Sequence, residues 1–238
     1  MAKKRILRLV LWLLALPQIG VSLLVEILAP RGARADLDRC LVLIGTYGTT
    51  VPDTFVEAPI VAEDHRSRLH PGIDAIAIAR AIWVRASSRQ IQGASTIEQQ
   101  YVRVVSNRYE RTAARKLCEQ VLALMLARRA NKHAIASAYL AIAYYGAGCV
   151  GISGLKARFH GDLSKVSFSQ ALRMVAQLKY PQPLQPTAKW RAKIADRVAF
   201  LLKRVEDTAE GTANESLQRT FDPQPILLSQ NRLRLRRR

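Results

Sequence analysis

No charged side chain occurs between Leu9 and Val25 of this chain, and Lys3, Lys4, Arg5 and Arg8 stand immediately before that run. An uncharged apolar run of about 17 residues is close to the lower length limit for a helix that spans a bilayer. Basic residues in front of it are retained on the cytoplasmic side, which would put the bulk of the protein across the membrane. The competing expectation is a cleaved signal peptide, because Ala33-Arg34-Ala35 has the A-x-A form of a cleavage site. The apolar stretch is long for a signal core, and Arg31 and Arg34 crowd the cut, so a single-pass anchor within residues 1–35 is the preferred reading.

The remainder must fold around its own core, and it is basic. Of a formal net charge of +19, residues 36–205 hold 25 Lys/Arg against 12 Asp/Glu, so the charge is not confined to the tails. Such a domain attracts phosphates or anionic lipid. A nucleic-acid role is not expected, because the cations are scattered over helices without a binding motif. Cys40, Cys118 and Cys149 are far apart and lack metal-ligand spacing, so neither a structural disulfide nor a zinc site is expected.

LDRCLVLIGTYGTTVPD reads as a linker or small strand pair, broken by Gly45, Gly48 and Pro52. From Asp74 onward the pattern is helical. Asp74 is placed to cap DAIAIARAIWVRA, and Ser95 with Glu98 reads as a capping box for the next helix. RTAARKLCEQVLALMLARRA carries Leu117, Val121, Leu124 and Met125 on one stripe. HAIASAYLAIAYYG is nearly all apolar or small, hence buried, and stops at Gly146. Ser167 and Gln170 form another capping box, three prolines end that helix, and KWRAKIADRVAFLLKRV is a last basic amphipathic helix. Residues 206–238 read as a polar, loop-like linker followed by the basic tail NRLRLRRR. The class is mainly α: one domain over residues 36–205 behind an anchor.

Three local groupings carry chemistry. Glu63-Asp64 with His70 and Gly72 precedes a helix. In GASTIEQQYVR, Gln100 and Arg103 share a helix face. Arg115 and Lys116 lie within one turn of Glu119. Taken singly, each is an ordinary charged surface feature. In order, EDHRSRLHPGID, GASTIEQQYVR, RKLCE and KHAIASAYLAIAYYG resemble the peptidoglycan glycosyltransferase domain, which occurs alone in monofunctional transglycosylases and as the front half of bifunctional penicillin-binding proteins. QALRMVAQLKYPQPLQP is a looser fifth match, and the likeness spans about Ala62 to Arg204.

That resemblance implies a lysozyme-like helical fold and polymerisation of lipid-linked disaccharide-peptide, with inversion, at the outer (periplasmic) face of the bacterial inner membrane. It implies that Glu63 takes the proton of the attacking 4-hydroxyl, and that Glu119 is the second acidic residue, which places the donor. Arg103, Arg115 and Lys116 match pyrophosphate contacts, and Ser95, Thr96 and Gln100 match the donor cleft. Asp64 and His70 fall on the substrate side, with His70 either binding or bracing the turn. The implied partners are the precursor, the growing glycan strand, membrane lipids and other cell-wall synthesis proteins. No cofactor is required, and assistance by a divalent cation, Mg or Mn, stays open.

The sequence departs from the family at Ser67 (usually Phe), Arg103 (Lys), Val104 (Asn), Ser137 (Glu) and Ala141 (Asn). The last two motivate a second reading, a catalytically weak relative that binds precursor or glycan and regulates a partner synthase. A third, a glycan hydrolase, has no use for pyrophosphate-binding cations. Ser153-Gly-Leu-Lys156 has the S-x-x-K spacing of penicillin-reactive serines and Ser229-Gln-Asn231 imitates S-x-N, but no K-T-G follows, so no transpeptidase site is expected.

Overall fold

The computed structural model describes residues 2–90 and 92–220. Ten helices and a two-stranded ribbon are described: α1 (Ala2–Leu28), α2 (Arg31–Tyr47), α3 (Asp53–Glu63), α4 (Ala75–Ser88), α5 (Ile97–Ser106), α6 (Ala113–Ala127), α7 (Lys132–Ile142), β1 (Tyr144–Gly146), β2 (Cys149–Val150), α8 (Gly151–Arg158), α9 (Phe168–Lys179) and α10 (Ala188–Thr220). The mainly α class expected from periodicity is the one observed. Among the described residues, those up to Leu202 form one compact unit, and the end of α10 from Lys203 belongs to a second. The tail NRLRLRRR and Ser229-Gln-Asn231 lie outside the described residues.

At the centre lies α7. Ile135, Ala136, Ser137, Ala138, Leu140 and Ala141 are all buried, which is why the segment shows no amphipathic period. Helices α2, α3, α5 and α8 pack around it, and α3 also packs on α9. Phe55, Val56 and Ala58 of α3 and Ala171, Leu172, Val175 and Ala176 of α9 are buried. This packing fixes the direction of α3, whose last residue is Glu63.

Helix α1 is long and apolar enough to cross a membrane. One seam faces the protein: Leu11, Ala15 and Ser22 are buried, and Ala15 and Ile19 meet Ile73, Ala123 and Leu124. Glu26 accepts hydrogen bonds from Arg128 and Arg129 just beyond α6. Leu9, Leu13, Leu14, Leu16, Leu24 and Ile27 of α1 are exposed, as are Ile82 and Trp83 on α4.

Five local expectations are corrected. LDRCLVLIGTYGTTVPD is not a linker or strand pair: residues through Tyr47 belong to α2, because Asp36, Leu37 and Cys40 recur at helical spacing and are buried. Tertiary burial overrides the β-branched composition. The α5 cap is one residue later than read, with Thr96 and Gln99 forming the capping box in place of Ser95 and Glu98. Helix α7 ends at Ile142 rather than Gly146, because Tyr144–Gly146 pairs with Cys149–Val150. Leu117 is off the buried stripe of α6 and is exposed. The polar segment after Val205 is helical to Thr220, since its Ala, Glu, Leu, Gln and Arg are good helix formers and no proline interrupts it.

Gly72 holds the loop between α3 and α4 against α6. Its φ is +131°, and a Cβ there would lie 2.8 Å from the Ala123 carbonyl oxygen. Gly45 in α2 has no atom within 4 Å of such a Cβ. Gly72→Ala is therefore expected to destabilise by about 3 kcal/mol or more. Gly45→Ala is expected to stabilise by up to about 1 kcal/mol. Denaturant unfolding followed by helical circular dichroism in detergent checks both signs.

Candidate active site

Site residues gather at the start of α5. Thr96 caps the helix by accepting from the Gln99 N–H, and the Gln99 side chain accepts from the Thr96 N–H. The Thr96 hydroxyl donates to the Gly72 carbonyl at 2.7 Å, tying the loop that follows Glu63 to this helix end. With the cap on Thr96, the Ser95 hydroxyl is left for other partners.

Those partners are cations. Ser95 Oγ accepts from Lys116 Nζ at 2.7 Å and from Arg103 at 3.3 Å. Both also reach Glu119: Arg103 Nε at 2.7 Å and Nη2 at 3.2 Å as a two-point fork, and Lys116 at 3.3 Å. Arg115 donates to the same carboxylate. The carboxylate of Glu119 is thus surrounded by three cations, and its side chain is 2% exposed. Burial alone would push its carboxyl up, but the Arg103 hydrogen bond and the charges of Arg103, Lys116 and Arg115 hold it below the usual range. Burial pushes Lys116 down, against the pull of Glu119. One anion and three cations leave a positive excess suited to phosphate oxygens.

A second group is buried on the other side of the α5 start. Asp64, next to Glu63, accepts from His70 Nε2 at 2.9 Å and from the Ile97 N–H at 3.2 Å. The Gly72 N–H and Lys132 Nζ both approach His70 Nδ1, which makes that nitrogen the acceptor and Nε2 the N–H donor to Asp64. Burial raises the Asp64 carboxyl, but the His70 hydrogen bond, with the charge of Lys132 and the Ile97 N–H, carries it below the usual carboxylate range. Lys132 also bonds Glu98, itself buried. Asp64, His70 and Glu98 have donor atoms within 4.8 Å of one another, close enough to hold a metal ion. The ammonium of Lys132 already bonds two of the three, so an ion there would have to displace it. His70 thus braces the turn, and Arg66, bonded to Asp74 at 2.7 Å, pins its far end.

Glu63 stands apart from both groups, at the C-terminal end of α3, where Arg197 of α10 meets it at 2.7 Å. Tyr139 of α7 links it to the cation cluster: its hydroxyl donates to Gln100 Oε1 at 2.8 Å, and the charges of Glu63 and Arg103 both reach it. Burial first, then the charge of Glu63, pushes that phenol up.

The structure therefore brings together Ser95, Arg103, Arg115, Lys116 and Glu119, and separately Asp64, His70 and Thr96. Gln100 contacts Tyr139 rather than the cations. Sequence reasoning missed Glu98, Lys132, Tyr139 and Arg197. Lys132 and Tyr139 lie in a quoted motif and had a signal; Arg197 had none beyond the basic character of its helix. Ser153, in the S-x-x-K look-alike, donates to the Val150 carbonyl at the start of α8.

Asp64 and Glu119 have folded-state pKa values below their unfolded ones, so each contributes stability that is fully present above about pH 5 and is lost as pH falls through the folded value. Denaturant midpoints are expected to fall on acidification below about pH 4, and less steeply in Asp64→Asn and Glu119→Gln. A titration of midpoint against pH checks this.

Comparison with known proteins agrees in extent with this architecture. A penicillin-binding protein 1A of Rickettsia prowazekii is 29% identical over 160 residues, covering 65% of this chain and 20% of the relative. A penicillin-binding protein 1A of Aquifex aeolicus is 33% identical over 138 residues, covering 57% of this chain and 19% of the relative. A penicillin-binding protein 1B of Vibrio cholerae is 31% identical over 178 residues, 72% of this chain and 23% of the relative. The chain thus matches about a fifth of the length of these relatives. The family model described as transglycosylase matches residues 45–206, which hold every candidate site residue, and the chain belongs to the transglycosylase family.

Proposed function

We propose that this protein is a membrane-anchored peptidoglycan glycosyltransferase that lengthens glycan strands from lipid-linked disaccharide-peptide. The observation that carries the reading is the convergence of Arg103, Arg115 and Lys116 on Glu119 and Ser95. A lipid pyrophosphate leaving group is already a weak base. It needs positive charge more than a proton, and preorganised cations in a partly desolvated site supply it at no reorganisation cost.

The acceptor needs the opposite. As its 4-hydroxyl attacks the anomeric carbon, the hydroxyl must lose a proton, and Glu63 is the carboxylate that accepts it. Attack on one face with departure from the other inverts the anomeric centre. Glu119 keeps the three cations together, Ser95 meets them on the donor side, Thr96 fixes the helix start behind it, and Gln100 is held by Tyr139. No cofactor is needed in this reading; Mg or Mn bound with the pyrophosphate would add positive charge.

The substrate's lipid tail fits the apolar surface. Helix α1 has the length and composition of an anchor, and exposed Ile82 and Trp83 on α4 offer a further lipid contact. We place the protein in the bacterial inner membrane with its catalytic domain on the outer side. The fourth-motif departures fall away from the cations: Ser137 is buried and bonds Tyr47 and Val51, and Ala141 is packed in α7. They therefore do not favour a purely regulatory relative.

Incubation of labelled precursor with the full-length protein in detergent tests the reading. Wild type is expected to form polymer, and Glu63→Gln to lower the rate by about 100-fold or more. Failure to form polymer while a known synthase works alongside, or shortening of added glycan, contradicts it.

A further inference from the structure

Glu63 is the last residue of α3, where the helix dipole presents its negative end and the final carbonyls lack partners. A carboxylate is disfavoured there. Arg197 answers both problems from a helix far along the chain: its Nη2 donates to Glu63 Oε1 at 2.7 Å and to the Ala62 carbonyl at 3.1 Å. The contact is sheltered, with the Arg197 and Glu63 side chains 12% and 19% exposed.

The guanidinium is held in place rather than draped over the surface. Val198 and Leu201 bury α10 beside it, and the Phe200 ring lies 5.5 Å from its central carbon. Its Nε is buried without a hydrogen-bond partner among the described residues. The single guanidinium bond to the carboxylate is on Oε1, so Arg197 leaves Oε2 to another group.

We propose that Arg197 is a positioning residue for the reaction, fixing the Glu63 carboxylate through Oε1 and orienting Oε2 toward the acceptor hydroxyl. This rests on the reading of Glu63 as the base. As the acceptor O4–C1 bond forms, the C1–O bond to pyrophosphate breaks with its electron pair leaving on the phosphate oxygen, and the O4 proton moves to Oε2. That proton then passes from Oε2 to water, which restores the carboxylate for the next addition.

The test measures initial rates against precursor concentration for full-length wild type, Glu63→Gln, Arg197→Gln and Arg197→Lys, with thermal unfolding of each. Arg197→Gln keeps a polar side chain and removes both the charge and the Nη2 donor. It is expected to lower kcat by about 100-fold with KM within about threefold and an unfolding temperature close to wild type. Arg197→Lys restores charge at one point of contact and is expected to recover kcat to within about tenfold of wild type. A kcat for Arg197→Gln within about threefold of wild type overturns the proposal. So does a rise in KM at constant kcat, which would make Arg197 a substrate contact, or a kcat loss explained by unfolded protein in both Arg197 variants. If Glu63→Gln stays active, the base assignment itself falls; if only Glu63→Gln is impaired, that assignment stands and the role of Arg197 falls.

Discussion

Three cations gathered on one carboxylate repel one another, and in this protein that single carboxylate holds them together. Glu119 receives Arg103 from α5 and Arg115 and Lys116 from its own helix. Without it, α5 and α6 would meet through like charges across a partly desolvated gap. With it, the cluster is stable yet undercompensated by two charges, the condition for binding a dianionic or more highly charged group. Removing one partner of such a buried arrangement costs far more than an exposed ion pair is worth. Glu119 is thus needed for the architecture of the cation cluster as well as for its charge.

Both sides of the site are referenced to the first turn of α5. The Thr96 cap fixes the helix start and bonds Gly72. The Ile97 N–H donates to Asp64, a carboxylate well placed at the positive end of α5. Asp64 is the residue after Glu63, so the same turn that directs Ser95 toward the cations also sets the backbone carrying the proposed base. Shifting the cap by one residue, from Ser95 to Thr96, separates the two tasks: Thr96 ends the helix and Ser95 meets Lys116.

Local chemistry was readable in the sequence and long-range pairing was not. Arg115, Lys116 and Glu119 are within one turn, so their meeting follows from helix geometry alone, as do the Asp74 and Ser167 caps. The Lys132–Glu98, Tyr139–Gln100 and Arg197–Glu63 contacts join residues 34, 39 and 134 positions apart, and nothing in spacing announces them. Helix α2 was obscured for another reason: its Val, Ile, Thr and Gly residues lower helix propensity, and only burial of Leu37 and Cys40 against the core settles the matter. At Arg103, the arginine in place of the family's lysine gives the two-point fork on Glu119, a geometry an ammonium cannot make.

The central claim is that the Glu119-centred cations hold the leaving pyrophosphate while Glu63 acts only on the acceptor. Equilibrium binding of the lipid pyrophosphate product to detergent-solubilised protein separates the two roles most directly. The double variant Arg115→Ala, Lys116→Ala should weaken binding by about tenfold or more, and added salt should weaken wild-type binding. Glu63→Gln should bind as wild type does. Unchanged affinity in the double variant, or loss of affinity in Glu63→Gln alone, would contradict the account.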